Sequence, residues 1–411
     1  MKKILYLVAE DSYFCSHRLG LAVFMQQEGY TVAVATRCSK HSSKDKDDIL
    51  KQGLQLFELQ FFCRASCINP FKEILALKEL YNIYKTFKPD IVHHVALKPV
   101  IYGTIVARLV KINKIVNALA GLGFVFTEFT YKFNSNVLVN FWGNIKKITK
   151  QKVLQFFVYK ILKLIVINNP QQNQILLMQN KDDLDILKKS IRVSDDVELK
   201  VAIVPGSGIN MDKYSNSQPL SNINFNNNIK IILISRLLWT KGINEFIHAA
   251  QYIKEYIKKN NLYINPEFIL YGDIDSKNPA SVRYSDLTEW QNQGLVVWKN
   301  FCYDVVAAYR DCHIAVLPSY REGLPKSLLE AAACARAIVT TDVPGCREIV
   351  TDGVNGYLVP KQNSEMLAGA LLKLMQNQES MINMGILGRQ KVCDKFSNQV
   401  IFPQILGVYS L

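Results

Sequence analysis

Two doubly wound α/β domains are predicted by three observations. Short apolar runs alternate with longer amphipathic segments along the chain, the pattern of parallel strands joined by crossover helices. That alternation comes in two series, separated by an Asn- and Ser-rich stretch at 215–228. And a length of 411 residues is too great for one ordinary core while suiting two.

The first series opens with Ile4-Leu5-Tyr6-Leu7-Val8-Ala9, stopped by Glu10-Asp11. Six apolar residues are too few for the core of a signal peptide and suit a strand buried on both faces. Runs at 31–35, 56–59, 91–93 and 115–118 read as further strands, while 19–28 and 71–87 carry apolar residues at helical spacing. Lys88-Pro89-Asp90 ends a helix and starts the strand at 91. In the middle, 165–167 reads as a strand, followed by a polar stretch to about 198 and a strand at 201–204 closed by Pro205-Gly206-Ser207-Gly208. The second series has strands at 229–234, 268–270, 295–297, 314–317 and 337–340. The organisation expected is an N-terminal domain at 1–204, a linker at 205–228 and a C-terminal domain at 229–391.

Composition is that of a folded globular protein, 49% hydrophobic and 20% charged. The formal charge of +14 is concentrated in one half. Residues 1–200 hold 29 Lys/Arg against 17 Asp/Glu, and residues 201–411 hold 20 against 18. An anionic partner is therefore expected on the first domain. Segment 145–165 carries six lysines and no acid, interleaved with Phe156, Phe157 and Tyr159, a composition that can lie in a bilayer interface or decorate a packed helix. No apolar run approaches the ~20 residues that span a bilayer. The nine cysteines are scattered, without paired zinc-ligand spacing, which fits free thiols in a reducing compartment. A nucleic-acid module would need interleaved aromatic and basic motifs, and none is present.

The most specific motif is Ser319-Tyr320-Arg321-Glu322-Gly323-Leu324-Pro325-Lys326-Ser327-Leu328-Leu329-Glu330. It follows the apolar run Ala315-Val316-Leu317-Pro318 and opens a helix, so backbone N–H groups at a helix N-terminus face the carboxyl edge of a sheet. Pro325 suits the first helical turn. Glu322 stands in the turn, where it can accept from sugar hydroxyls, and Glu330 two turns along, where it can accept from a ribose. A second cluster, Ser235-Arg236-Leu237-Leu238-Trp239-Thr240-Lys241-Gly242, puts a guanidinium and an ammonium just after the first strand of the second series. Both groups suit phosphate oxygens.

These motifs, with Val343-Pro344-Gly345-Cys346-Arg347-Glu348-Ile349-Val350, Gly353 and Gly356, resemble the retaining glycosyltransferases of family 4, which have the GT-B fold: two Rossmann-like domains facing across a cleft. The N-terminal half is similar to a bacterial subgroup that elongates lipid-linked O-antigen or glycoprotein oligosaccharides, through His17-Arg18, Val92-His93 with Lys98-Pro99, and Gly121-Leu122-Gly123-Phe124-Val125-Phe126. The resemblance implies that Arg236 and Lys241 bind the donor diphosphate and stabilise its charge, that Glu330 holds the ribose and Glu322 the donor sugar, and that Gly323, Leu324, Pro325, Lys326, Ser327, Leu328, Leu329 and Gly206 complete the donor site. It implies His17, Arg18, His93, Lys98, Gly121 and Gly123 on the acceptor side. It also implies a UDP-sugar donor, an undecaprenyl-diphosphate-linked saccharide acceptor, and a cytoplasmic enzyme held at the inner face of a bacterial membrane. The terminal helix at 392–411 is expected to pack back on the first domain.

The chain departs from the wider family at two places: Asp11-Ser12-Tyr13-Phe14-Cys15-Ser16 replaces a Gly-Gly loop, and Asn117-Ala118-Leu119-Ala120 replaces a histidine-bearing strand end. Asp273-Ile274-Asp275 matches a metal-binding Asp-x-Asp pattern, but so do two other tripeptides in this chain, and the GT-B fold implies neither metal nor cofactor. Gly121-Leu122-Gly123 lacks the third glycine of a dinucleotide fingerprint. A nucleotide-sugar 2-epimerase of the same architecture and a catalytically silent donor-binding subunit remain as alternatives.

Overall fold

A computed structural model describes residues 1–38, 44–62, 70–119, 121, 158, 160–164, 173–191, 199–217, 219–220, 227–275, 278 and 280–411. Two compact units emerge: Met1–Ser207 together with Phe402–Leu411, and Gly208–Ile401.

The first unit is built on a seven-stranded parallel sheet: β1 (Lys3–Glu10), β2 (Thr31–Arg37), β3 (Gln55–Glu58), β4 (Ile91–Val95), β5 (Lys114–Leu119), β6 (Asn173–Met178) and β7 (Val201–Ile203). Their order is β3-β2-β1-β4-β5-β6-β7, so chain direction across the sheet reverses between β1 and β4. Helices α1 (Asp11–His17), α2 (Leu19–Gln27), α3 (Lys44–Lys51), α4 (Pro70–Phe87), α5 (Leu97–Leu109) and α6 (Lys181–Ile191) make the connections described. Every residue of β4 and β5 is buried, because helices cover both faces of the sheet, and the strands enclose His93, His94, Lys114 and Asn117 along with their apolar residues.

The polar stretch expected at about 168–198 is corrected by β6 and α6. Ile175-Leu176-Leu177-Met178 is fully buried between β5 and β7, and Leu184, Leu187 and Ile191 pack one face of α6 into the same core. The flanking Asn, Gln, Lys and Asp residues hid an apolar run of only four. The strand expected at 165–167 lies outside the described residues. Of the basic segment 145–165, only 158 and 160–164 are described; Val158 and Leu162 are buried in the core, while Leu164 is exposed. Among the described residues no helix is long and apolar enough to cross a membrane.

The second unit repeats the plan with six parallel strands: β8 (Asn228–Ile234), β9 (Asn265–Tyr271), β10 (Val297–Lys299), β11 (Ile314–Leu317), β12 (Ala337–Thr341) and β13 (Gly356–Val359), in the order β10-β9-β8-β11-β12-β13. Helices α7 (Ile243–Lys259), α8 (Tyr284–Asn292), α9 (Val305–Arg310), α10 (Lys326–Ala333), α11 (Cys346–Ile349), α12 (Ser364–Gln376) and α13 (Gln378–Phe396) connect and cover them. The edge strand β10 starts two residues later than expected; its exposed, half-buried, exposed pattern gives no continuous apolar run to read. From Gly208 onward the segment expected as a linker belongs to this unit: Ile209, Tyr214 and Leu220 are buried in its cores. A short 3-10 turn, Met211–Tyr214, is capped by Asn210, whose Oδ1 accepts from the Asp212 N–H at 3.0 Å.

Helix α14 (Asn398–Ser410) supplies the first unit with its residues from Phe402 onward. There Phe402 packs on Phe24, and the Tyr409 hydroxyl lies 2.5 Å from His93 Nδ1 and donates to the Tyr6 hydroxyl at 3.0 Å. Lys114 Nζ donates to the Tyr409 carbonyl at 2.8 Å.

Candidate active site

In the second unit the sheet reverses its winding between β8 and β11. The carboxyl ends of the two strands at such a switch point leave a crevice, because their helices depart to opposite faces. Arg236 and Lys241 follow β8, and Glu322 follows β11. Topology therefore brings together side chains some eighty residues apart in sequence.

The two loops are in close contact. The Tyr320 N–H donates to the Thr240 carbonyl at 2.9 Å. Gly242 has φ +74°, and a Cβ there would stand 2.1 Å from the Pro318 carbonyl oxygen. A glycine is thus required by conformation and by space. Across this junction Lys241 Nζ contacts Glu322 Oε1 at 2.5 Å, and Ser319 Oγ donates to the same oxygen at 2.6 Å. Both side chains are largely buried yet keep an opening, 17% exposed for Lys241 and 11% for Glu322. Arg236 is exposed and has no ion-pair partner among the described residues. That leaves its guanidinium available to a ligand.

Strand β12 braces the loop from the other side. Thr340 Oγ1 donates to the Leu317 carbonyl at 2.6 Å, and Thr341 Oγ1 donates to the Ser319 carbonyl. Gly345, at φ +80°, lies so close that a Cβ would meet the Gly323 carbonyl oxygen at 2.3 Å. The Val343–Val350 motif is thereby explained as the wall against which the Glu322–Gly323 turn is folded. Its thiol, Cys346, is buried and pushed up to about 12, which marks it as a packing residue.

Helix α10 points its N-terminus toward this crevice. Pro325 is its N-cap, one position earlier than expected, and no side chain caps the first turn. Its leading N–H groups and the positive end of the helix dipole are suited to an anion. Leu328 and Leu329 are buried in the core and fix the helix, while Lys326 and Ser327 are half-buried at its start. Lys326 Nζ lies 3.7 Å from Glu330 Oε1, and Lys213 and Tyr214 of the 3-10 turn stand near the same carboxylate. Burial raises the Glu330 pKa, opposed by Lys326, Lys213 and Tyr214. Burial likewise lowers that of Lys326, against the attraction of Glu330. Lys213 and Tyr214 were missed because they fall in the expected linker at 205–228; the Asn210-x-Asp212 capping pattern was the available signal.

The expected acceptor-side residues have other surroundings. His17 ends α1, stacks on Tyr13 with centroids 4.2 Å apart, and its Nδ1 lies 2.7 Å from Ser16 Oγ. Arg18 is 2% exposed; its Nη1 donates to the His17 carbonyl at 3.1 Å and its Nε finds no partner among the described residues. His93, on β4, is fully buried with Nδ1 on Tyr409 and Nε2 unpartnered, and burial holds its pKa well below the usual range. Lys98 pairs with Glu73 at 2.8 Å and lies over the rings of Phe62 and Tyr102, at 5.1 Å each. Gly121 follows β5 with φ +96°; Gly206, expected in the donor site, belongs to the first unit and has φ +84°. Gly123 lies outside the described residues. Asp273 uses Oδ1 to accept from the Phe301 N–H at 3.0 Å, and among the described residues no three potential metal ligands gather.

A doubly wound unit with paired cation and carboxylate at its switch point, and a second carboxylate on the helix behind them, suits an anionic ligand that also carries hydroxyl groups. Residues 218–391 match the family "Glycosyl transferases group 1", and residues 3–170 match "Glycosyl transferase 4-like". The chain is a glycosyltransferase of the GT-B, family 4-like group.

Among its relatives is the N,N'-diacetylbacillosaminyl-diphospho-undecaprenol alpha-1,3-N-acetylgalactosaminyltransferase of Campylobacter jejuni, 27% identical over 85% of this chain and 84% of the relative. Another is the UDP-Gal:alpha-D-GlcNAc-diphosphoundecaprenol alpha-1,3-galactosyltransferase of Escherichia coli, 25% identical over 80% and 77%. Its fold matches HepE from Anabaena, solved with UDP and glucose, with a TM-score of 0.71 at 14% identity over the full length of both chains.

Proposed function

We propose that this glycosyltransferase moves a hexose or hexosamine from a UDP-sugar to an undecaprenyl-diphosphate-linked saccharide in bacterial O-antigen, capsule or related glycan synthesis, retaining the anomeric configuration. The observation that carries the donor side is the contact of Lys241 with Glu322 at the switch point of the second sheet, in front of an uncapped helix N-terminus.

In this reading Arg236 and Lys241 take the diphosphate oxygens, and the N–H groups opening α10 add fixed dipoles aimed at the same charge. Glu330 accepts from the ribose hydroxyls. Glu322, with one oxygen on Lys241 and Ser319, offers the other to the donor sugar. The bond from the sugar C1 to the diphosphate oxygen breaks, and a bond from C1 to the acceptor oxygen forms on the same face. The acceptor's proton passes to the departing diphosphate oxygen, so no protein nucleophile is required. The positive charge that a metal supplies elsewhere comes here from Arg236 and Lys241, and no metal or cofactor is part of the reading.

The acceptor assignment is supported by the two relatives that act on undecaprenol-diphosphate saccharides over most of their length. The basic first half of the chain is suited to an anionic membrane surface, and in this reading the enzyme works at the inner face of the bacterial membrane; nucleic acid is not a partner. Galactose, N-acetylgalactosamine or a related uronic acid is the donor sugar favoured.

UDP release from a panel of UDP-sugars, with and without lipid-linked oligosaccharide extract, tests this. The expected result is release with one donor, dependent on the extract and unchanged by EDTA. Turnover without extract would replace this reading with an epimerase or hydrolase, and dependence on added metal would overturn the charge assignment.

A further inference from the structure

Glu245 and Tyr320 lie behind the Lys241–Glu322 contact. Glu245 is the third residue of α7 and is 6% exposed. Tyr320 stands in the loop after β11, two residues before Glu322. The Tyr320 hydroxyl donates to Glu245 Oε1 at 2.8 Å, and the Tyr320 N–H donates to the Thr240 carbonyl at 2.9 Å. One residue thus ties itself to both ends of the segment that carries Lys241. On the far side of Gly242, the backbone of Pro318 leaves no room for the loops to slide.

These contacts form a closed circuit. It runs from Tyr320 to Glu245, along the start of α7 to Lys241, across to Glu322, and back along the loop to Tyr320. A lysine side chain has four rotatable bonds, and placing its ammonium within a few tenths of an ångström requires its backbone to be held. Burial of the Glu245 carboxylate raises the strength of the bond it accepts and makes its loss costly.

We infer that Glu245 and Tyr320 are positioning residues. Their hydrogen bond fixes the loop of Lys241 relative to that of Glu322, so that the ammonium faces the donor diphosphate. This rests on the donor reading given above.

Titration with UDP, alongside thermal melting, tests the inference on the full chain. Tyr320→Phe and Glu245→Ala are each expected to weaken UDP binding about tenfold, the size of one hydrogen bond to a charged group, when read well below the melting midpoint, which loss of the buried bond is expected to lower. Glu245→Gln keeps a carbonyl oxygen for the tyrosine and is expected to restore wild-type affinity. The double variant Tyr320→Phe/Glu245→Ala is expected to bind no worse than the weaker single one, because both remove the same link. Wild-type affinity in Tyr320→Phe, no rescue by glutamine, or losses that multiply would each overturn it. Lys241→Ala is the control: UDP affinity unaffected there sinks the donor reading, whereas a loss there with an unaffected Tyr320→Phe sinks only this inference.

Discussion

The carboxyl edges of the two sheets have the same topology and different chemistry. In the second unit, cation and carboxylate converge from two strand ends, brace each other, and keep an opening: Lys241 on Glu322, Arg236 exposed beside them, Glu330 on the next helix. In the first unit the Lys98–Glu73 pair is about as open as Lys241–Glu322, while His93 and Arg18 are buried in the fold. Lys98 is taken by Glu73, His93 by Tyr409, and Arg18 is buried against its own loop. Winding alone therefore supplies a crevice, and only the side chains at its lip make it a site for a defined ligand. The second edge is preorganised for a charged small molecule.

Four outcomes sharpen or break this contrast. The largest effect is expected for Lys241→Ala and Glu322→Ala, which should each lower sugar transfer by about a thousandfold or more while circular dichroism stays native, the scale for removing a preorganised charge partner. Transfer at the wild-type rate from either would dissolve the distinction. Next, Glu330→Ala should weaken UDP binding by roughly 10- to 100-fold through loss of hydrogen bonds to a charged acceptor. Isothermal titration reads it directly.

Third, Tyr409→Phe removes the hydroxyl shared by His93 and Tyr6, and is expected to lower unfolding free energy by about 1–3 kcal/mol with UDP affinity unchanged. A loss of UDP affinity instead would place the first edge in the donor site. The fourth outcome is a pH dependence. Neutral His94 donates from Nδ1 to the Asn117 Oδ1 at 2.8 Å and accepts the Tyr84 hydroxyl on Nε2 at 2.9 Å, and burial holds its pKa at about 4. Protonation is thus easier in the unfolded chain, and stability should fall as pH drops from about 6.5 toward 4, at up to ~1.4 kcal/mol per unit. His94→Gln should lessen the slope of melting temperature against pH across that window, while His93 and His313, whose pKa values burial also lowers, keep the remainder.

Much of this was legible in the sequence where buried parallel strands left unbroken apolar runs, as at Ile4–Ala9 and Ile314–Leu317. Strand β6 was not, since four apolar residues between polar flanks are as easily read as a loop. The donor motif was legible because its residues are nearly contiguous and each type has a distinct chemical task. What holds it was not: Thr340, Thr341 and Gly345 act on the Glu322 loop through backbone carbonyls, and Tyr214 stands near Glu330 in the segment expected as a linker. Such contacts depend on which strands are neighbours, and residue type does not encode that. The same limit applies to Lys98, which the resemblance implied on the acceptor side and whose carboxylate partner, Glu73 on a neighbouring helix, the sequence did not indicate.

The central claim is that the nucleotide-sugar is held at the carboxyl edge of the second sheet. Hydrogen–deuterium exchange of the full chain, with and without UDP, tests it whatever the donor sugar and the acceptor are. Slowed exchange is expected in peptides covering 236–245, 319–330 and 343–350, with peptides covering 11–18 and 91–98 unchanged. Protection confined to the first unit would contradict the account.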